Sequence, residues 1–573
     1  MLAKINIRLY SAKMAALVAV VILTFSSCRK DFLERAPSDL IDEDKVFSNI
    51  DNAEAFLNNA YREVPTLVYR NKNDKSGYYN LGSATDEGAG MWGLDNTAVA
   101  FNSGNWNPVA FPLDWSWFAY YASIRKVNVF LKNYQRIPEE VSGQSTGSKK
   151  KRMLGEAHGL RAYYYFLLYT MWGEVPIIEN PLKPGGTENI NIPRSKISDV
   201  IAFIDQDLQA AIANLPATQN VSDFGRFTSA TAKALLSRLY LYYASELSNP
   251  GHDQARWNKA MDASKEAIDF ALANGYALCV TDNGGKRAYE RVFLEMNNPE
   301  TIWSSFGPYE GNGNYWDFWS GSLGTGGWYG ESPLQEMVDS YEMLNGEIPV
   351  TGYDASGAQI INPAAGYDPD HPFDNRDPRF YQTVLYHGAT WKGRTVNVAP
   401  GGTDYSTDKP RVNYFWRKYI QEEHNLFSGS GFSQRRFIVF RVGELYLNYA
   451  EARNEATGPD AEVYTAINKI RSRAGMPALP AGLSQAAMRE KIRHERKIEL
   501  VLENQRFWDV RRWKIAERTD NGPVHRISVT TTGKFSYPVW TSRVFDKNKH
   551  YLFPIPQSEI DKNRQVLTQN PGW

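Results

Sequence analysis

Three glutamates spaced four apart, Glu495, Glu499 and Glu503, stand in a stretch of sequence with Glu444, Arg471, Arg473 and Arg496. They are the first place to look for acid–base chemistry. Hydrolysis of a glycosidic bond needs two carboxyls facing across a cleft, about 5–10 Å apart. One row on one helix face does not supply that geometry. Like charges at this spacing repel weakly and need cations beside them, which the arginines provide. The expected role is ion pairing between helices. No Gly-x-Ser-x-Gly elbow occurs. The eight histidines form no close pair at ligand spacing, and His494 lies between Arg493 and Glu495. Only Cys28 and Cys279 are available as thiols, so no cysteine zinc pattern exists. Cys279, in Tyr276-Ala277-Leu278-Cys279-Val280, reads as a small buried hydrophobe. No catalytic residue, metal ligand or cofactor is expected.

Binding chemistry is better represented. Saccharide recognition uses flat rings against the C–H faces of a sugar, with amides, carboxylates and arginines on the hydroxyls. Two loop regions offer both. The first holds Tyr78, Tyr79, Asp86, Glu87, Trp92, Asp95, Asn96, Asn102 and Trp106. The second holds Asn312, Asn314, Tyr315, Trp316, Asp317, Trp319, Trp328 and Tyr329 among glycines, which free the backbone for such positions. The candidate ligand-binding residues are Trp92, Asp86, Asn96, Trp106, Tyr315, Trp316, Trp319 and Trp328. Trp92, Trp316 and Trp319 lead that set. Tyr163 to Tyr165 and Trp508 fall in helical patterns and are expected in the core.

The elements that position these loops are helical. Phe56, Leu57, Ala60 and Tyr61 share one helical face, and Asp51-Asn52-Ala53-Glu54 resembles a helix start. Further helices are expected over 153–172, 197–215, 228–245, 257–274, 442–453 and 460–474, and a long helix or helix pair over 485–513. The run Ala162-Tyr163-Tyr164-Tyr165-Phe166-Leu167-Leu168 is apolar nearly all round and must be buried on several sides. Consecutive pairs with small residues beside aromatics resemble tetratricopeptide helix pairs, without a clean 34-residue period. Residues 70–117 and 280–435 interrupt the pattern with Gly, Asn, Asp and Pro. The tail from 551 to 573 reads as extended chain on the surface of the body.

The N-terminus carries an address. Lys4, Arg8 and Lys13 precede an uncharged run from Met14 to Phe25, too short to span a bilayer and suited to a signal peptide. Ser26-Ser27-Cys28 resembles a bacterial lipobox, with Phe25 where such boxes prefer Leu. Cys28 is the expected lipidation site and first mature residue. The whole chain has 64 basic and 64 acidic residues, and residues 1–27 hold three of the basic ones. The slightly acidic remainder argues against nucleic acid as a partner. The expected division is a lipoprotein signal peptide at 1–27, a lipid-anchored tether at 28–45, an N-terminal helical region at 46–279 and a C-terminal region at 280–573 with a long insertion at 345–435.

These segments together resemble the SusD/RagB family of Bacteroidetes outer-membrane lipoproteins. The resemblance rests on Cys28-Arg29-Lys30-Asp31-Phe32-Leu33-Glu34, Leu160-Arg161-Ala162-Tyr163-Tyr164-Tyr165-Phe166, Trp172-Gly173-Glu174-Val175-Pro176, Gly225-Arg226-Phe227-Thr228 and Arg376-Asp377-Pro378-Arg379. It is strongest from Arg441-Val442-Gly443-Glu444-Leu445-Tyr446-Leu447-Asn448-Tyr449-Ala450-Glu451 through Arg506-Phe507-Trp508-Asp509, and it ends on Asn570-Pro571-Gly572-Trp573. Within it, Thr85-Asp86-Glu87 is similar to the family's acidic loop motif near the ligand face. The resemblance implies a mainly α fold of tetratricopeptide-like pairs with a loop-rich binding region. It also implies a lipid-anchored, surface-exposed protein that caps a SusC-like TonB-dependent transporter, captures an oligosaccharide or, alternatively, a peptide, and is not an enzyme. A glycoside hydrolase and a purely structural lid stand as the readings of a different class.

Overall fold

The structure is a computed structural model that describes residues 43–66, 69–70, 78–91, 97–139, 147–182, 191–220, 223–305, 315–407, 411–423, 436–564 and 566–573. The signal peptide, Cys28 and most of the tether lie outside the described residues, as do Trp92 and Asn96. Chain order begins with a short helix at Glu43–Phe47, three residues earlier than the sequence pattern suggests. Helix α1 (Ile50–Asn58) is capped by Asn49, whose side chain accepts from the Asp51 and Asn52 N–H groups. The cap thus sits two residues before the expected acidic start, since an extended Asn49 satisfies the orphan donors directly.

The long helices come as neighbours in sequence and in space. They are α2 (Asp114–Asn133), α3 (Gly147–Trp172), α4 (Ile197–Asn214), α5 (Ser229–Ala244) and α6 (Gln254–Ala273). After the loop-rich region follow α7 (Val442–Thr457), α8 (Ala461–Ala474), α9 (Gln485–Glu499) and α10 (Arg506–Arg512). The stretch expected as a long helix or a pair is therefore a pair. Helix α3 packs on α2 and α4, α5 on α6, and α7 on both α6 and α8. The α6–α7 contact carries the helical stack across the loop-rich region. Close approach depends on small residues: a Cβ at Gly159 of α3 would lie 2.6 Å from the Phe227 ring, so any larger side chain would push α5 away.

Helix α3 is buried as its all-round apolar pattern requires. Tyr164, Leu168 and Trp172 are fully inaccessible, and the Trp172 indole N–H donates to the Pro554 carbonyl at 2.8 Å. That bond corrects the reading of the C-terminal tail. Phe553 and Ile555 are core residues, and Phe553 meets Trp172 edge-on at 5.9 Å. Pro554 and Pro556 prevent helix there, but Phe553 before them and Ile555 between them are still buried.

A second hydrophobic core gathers Trp316, Trp319, Phe380, Trp391, Tyr414 and Trp416 with Val501 and Leu502. It lies in the region that lacks periodicity. The strands around it are short and, among the described residues, all pair in twos. The three needed below are β1 (Gly88–Gly90), β2 (Thr301–Ser305) and β3 (Glu331–Pro333), and β2 pairs with a fourth, β4 (Phe437–Arg441).

Buried ion pairs tie this core to the helices. Arg441 contacts Glu300, Glu499 and Glu503, each at 2.7 Å. Arg379 reaches Glu495 at 2.5 Å and Glu499 at 3.0 Å, and Arg471 joins Glu342 at 2.8 Å to Glu495 at 3.0 Å. Glu495 and Glu499 of α9 are occupied by guanidinium groups, as the sequence suggested, and Glu503 is held in the same way from the turn beyond the helix end.

Candidate functional site

Strand β1 lies within the first candidate region, just before Trp92, and β3 follows the second. They pair antiparallel, Gly88 opposite Pro333, Ala89 opposite Ser332 and Gly90 opposite Glu331. The ladder continues where the Met91 N–H donates to the Gly330 carbonyl at 2.8 Å. Two loops far apart in sequence therefore leave the sheet side by side. Gly88 makes this possible, since a Cβ there would sit 3.0 Å from both the Ser332 carbonyl and the Trp416 ring.

Acidic groups fix the staple from beneath. Asp86 is buried and receives both Arg506 nitrogens at 2.8 Å and Lys497 at 3.0 Å. Burial opposes its charge, but Arg506 and Lys497 outweigh that and hold the carboxyl well below the usual range. Glu87 receives the Leu502 N–H at 3.4 Å, and burial, helped by Asp86, pushes it up to about 8. Glu331 accepts the Asn80 N–H at 2.7 Å, and burial raises it far above an ordinary carboxyl. Arg543 then collects the Gly88 carbonyl at 2.6 Å and the Thr85 carbonyl.

The expected binding residues separate into three groups. Asp86 is a positioning residue for the loop, its carboxylate enclosed by Arg506 and Lys497. Trp106, Trp316 and Trp319 are also corrected, being only 3 %, 2 % and 4 % exposed. Trp106 stacks on His550 at 4.6 Å and has Trp573 tilted against it at 4.6 Å, and Phe101 and Phe553 meet it edge-on at 5.6 Å. Trp316 donates its indole N–H to the Lys418 carbonyl at 3.4 Å. Trp319 lies directly under Gly330. Trp316→Ala is expected to cost about 3–5 kcal/mol of stability by opening a cavity in the second core, measurable as a lower urea midpoint. Trp92 and Asn96 are outside the described residues, and so is the side chain of Tyr315.

Trp328 is the candidate that faces solvent, 46 % exposed, with Phe318 beside it at 6.1 Å. Its neighbour Tyr329 is fully buried and holds a left-handed backbone with φ of 55°. Such a conformation is costly for a tyrosine and persists where the surroundings fix it. They do: the Tyr329 hydroxyl accepts the Asn413 N–H, and the Arg411 guanidinium lies 5.5 Å from its ring centre. Arg411 also donates to the Met91 carbonyl at 2.8 Å, at the point where the first loop departs.

A third segment joins from within the expected insertion. Asp404 accepts the Gly324 N–H at 2.9 Å and the Asn397 N–H at 3.0 Å, and pairs with Arg394. This sets the exposed Tyr405 in the same loop cluster as Trp328. Tyr405 and Arg411 carry no signal in the sequence beyond their residue types. Among the described residues no group of His, Cys, Asp and Glu is arranged to hold a metal ion, and no helix is long and apolar enough to cross a membrane.

Comparison with known proteins gives this arrangement a family. The profile described as the SusD family matches residues 299–573. A second, described as starch-binding and associating with the outer membrane, matches residues 31–241. The chain belongs to the SusD/RagB family. A SusD-like protein, P2, of Formosa agariphila is 24% identical, over 97% of this chain and 98% of its own. Among solved structures, a SusD-like protein from Bacteroides fragilis is 27% identical with a TM-score of 0.74, covering 94% of this chain and all of that one. A SusD-like carbohydrate-binding protein from the same species is 26% identical with a TM-score of 0.72, covering 91% and 99%. The mainly α, tetratricopeptide-like SusD/RagB fold is thus shared across nearly the full length.

Proposed function

We propose that this SusD/RagB protein is a cell-surface lipoprotein that captures an oligosaccharide and, acting as a lid, delivers it to a SusC-like TonB-dependent transporter in the outer membrane. In this reading Cys28 carries the lipid and the tether holds the body near the membrane. The protein binds its sugar without turning it over. The observation that carries the reading is the exposed Trp328 in a loop cluster held rigid by the β1–β3 staple, Asp404 and Arg411. An aromatic face on a fixed support is what a pyranose or furanose stacks upon. Trp92 and Asn96, outside the described residues, and Tyr315 on the second loop are further ligand contacts in this proposal. The buried carboxylates of Glu495, Glu499 and Glu503, each enclosed by arginine, support a binding role over hydrolysis.

Calorimetry on the chain from Arg29 onward, against panels of oligosaccharides and short peptides, tests it. An oligosaccharide is expected to bind, and Trp328→Ala to weaken it about tenfold, roughly 1.4 kcal/mol, with an unchanged melting curve. A peptide as the sole ligand would replace the sugar reading. Shortened oligosaccharide products in the same samples would replace the non-catalytic one.

A further inference from the structure

The charges around the Trp328 loop cluster do not balance. Its acids are already answered within the protein. Asp404 is taken up by Arg394 and by two backbone N–H groups. Glu336 accepts the His525 backbone N–H at 2.8 Å and lies 2.7 Å from the same residue's Nδ1. Glu331, opposite Gly90 in the staple, is buried in a way that favours its uncharged form.

Two arginines beside these groups have no acid of their own. Among the described residues, the Arg411 guanidinium meets only uncharged groups. Its Nη1 donates to the Met91 carbonyl at 2.8 Å, its Nε donates to the Ser406 hydroxyl at 3.3 Å, and it lies against the Tyr329 ring. Arg526 is barer still: among the described residues its guanidinium has neither a hydrogen bond nor an ion pair. The two chain segments are bonded together. The Ile527 N–H donates to the Val412 carbonyl at 3.2 Å, and the Asn413 side chain donates to the Ile527 carbonyl at 2.9 Å. Val412 and Ile527 are fully buried, while Arg411 and Arg526, one position before each, are partly exposed. Arg411 also belongs to the aromatic face. Ser406, which it holds, follows the exposed Tyr405, and Tyr329, which it covers, follows the exposed Trp328.

Partial burial of a charge has a cost that an ionic partner recovers. A guanidinium with open N–H edges matches two oxygens of a carboxylate or of a sulfate ester. We infer that the oligosaccharide captured at the Trp328 face is an acidic one, and that Arg411 and Arg526 receive its carboxylate or sulfate group while Trp328 and Tyr405 take the apolar faces of its rings. This rests on the oligosaccharide reading above and adds the charge of the ligand to it. The exposed rings beside the arginines favour a sugar over an acidic peptide as the carrier of that charge.

Calorimetry on the chain from Arg29 onward tests it with matched pairs. Oligogalacturonates are compared with their methyl esters, and sulfated galactan oligosaccharides with their desulfated forms, with tetra-aspartate as the anion that is not a sugar. At least one acidic oligosaccharide is expected to bind about tenfold or more tightly than its neutral counterpart. That preference is expected to shrink as sodium chloride rises from about 50 to about 500 mM, because contacts at a partly exposed site are screened. Arg526→Gln, whose side chain holds nothing else in place among the described residues, is expected to lower the preference at least about threefold with an unchanged melting curve. Arg411→Gln keeps a donor for the Met91 carbonyl and is expected to act in the same direction, and the double variant to lower the preference about tenfold. Trp328→Ala is expected to weaken both members of a pair by a similar factor. Equal binding within every pair, or binding of the neutral members alone, overturns the inference and leaves oligosaccharide capture standing. A preference that survives in the double variant overturns the assignment to these arginines. Binding of tetra-aspartate with no saccharide bound overturns both this inference and the oligosaccharide reading.

Discussion

Arg441→Met is expected to lower the stability of this protein by about 3–5 kcal/mol, the cost of leaving buried charge without its partner. Three carboxylates, from Glu300, Glu499 and Glu503, converge on that one guanidinium, and none of the four side chains is more than 4% exposed. Methionine matches much of the arginine volume, so the loss is electrostatic. Arg473 and Lys418 remain beside Glu499 and Glu503, which limits the damage but leaves the cluster net negative. Against a total stability of roughly 5–15 kcal/mol, the change is large. The surface pair Lys265–Asp269, about half exposed on both sides, provides the contrast: Lys265→Ala is expected to cost below about 0.5 kcal/mol. Urea midpoints of the two variants decide the matter, and equal midpoints would sink the claim that the buried lattice joins the two cores.

That lattice was partly legible in the sequence. The four-residue spacing places Glu495 and Glu499 on one face of α9, and the nearby arginines announce the pairing, but the helix stops at Glu499 and Glu503 joins the same cluster from the turn that follows. The identity of the cross-links was not legible. Arg379 comes from a short helix, Pro378–Thr383, more than a hundred residues away, and reaches α9 only because the second core sets it there. The helix pairs follow from periodicity, which is a local property, and they appear where periodicity puts them.

The binding face shows the opposite balance. Residue type and glycine content mark the two aromatic loops, and the β1–β3 ladder brings those loops together. Which ring faces water depends on partners that local pattern does not encode. Trp316 and Trp319 are covered by the segment around Lys418 and by Gly330, and Trp328, in the same run, is not. Asp86 reads as a ligand carboxylate until Arg506, 420 positions later, closes on it. Tyr405 and Arg411 are single residues in an aperiodic insertion, and nothing but the folded chain selects them.

The second large effect concerns pH, through Glu87. Its folded carboxyl keeps the proton up to about pH 8, against an ordinary value of 4.5. Burial is the main cause and the Asp86 charge adds to it, while Arg506, the Leu502 N–H and Lys497 pull the other way. Between those two values the folded chain holds more protons than the unfolded one, so stability falls as pH rises, and the penalty is complete above about pH 8. Every tenfold gain in proton affinity on folding is worth about 1.4 kcal/mol, which makes the total a few kcal/mol. Glutamine keeps an acceptor for the Leu502 N–H and has no proton to lose. Glu87→Gln is therefore expected to match wild type near pH 4, to gain on it steadily from about pH 5 to 8, and to hold a constant advantage of a few kcal/mol beyond that. Asp86 has its pKa depressed, so its contribution is present above an unfolded value near 3.8 and is lost only as pH falls further. The two acids thus act in separate windows. Urea unfolding of both proteins across this range measures the difference directly. A flat difference would show that Glu87 ionises in the folded loop as it does in the unfolded chain, and would sink the claim that burial keeps it protonated beneath the β1–β3 staple.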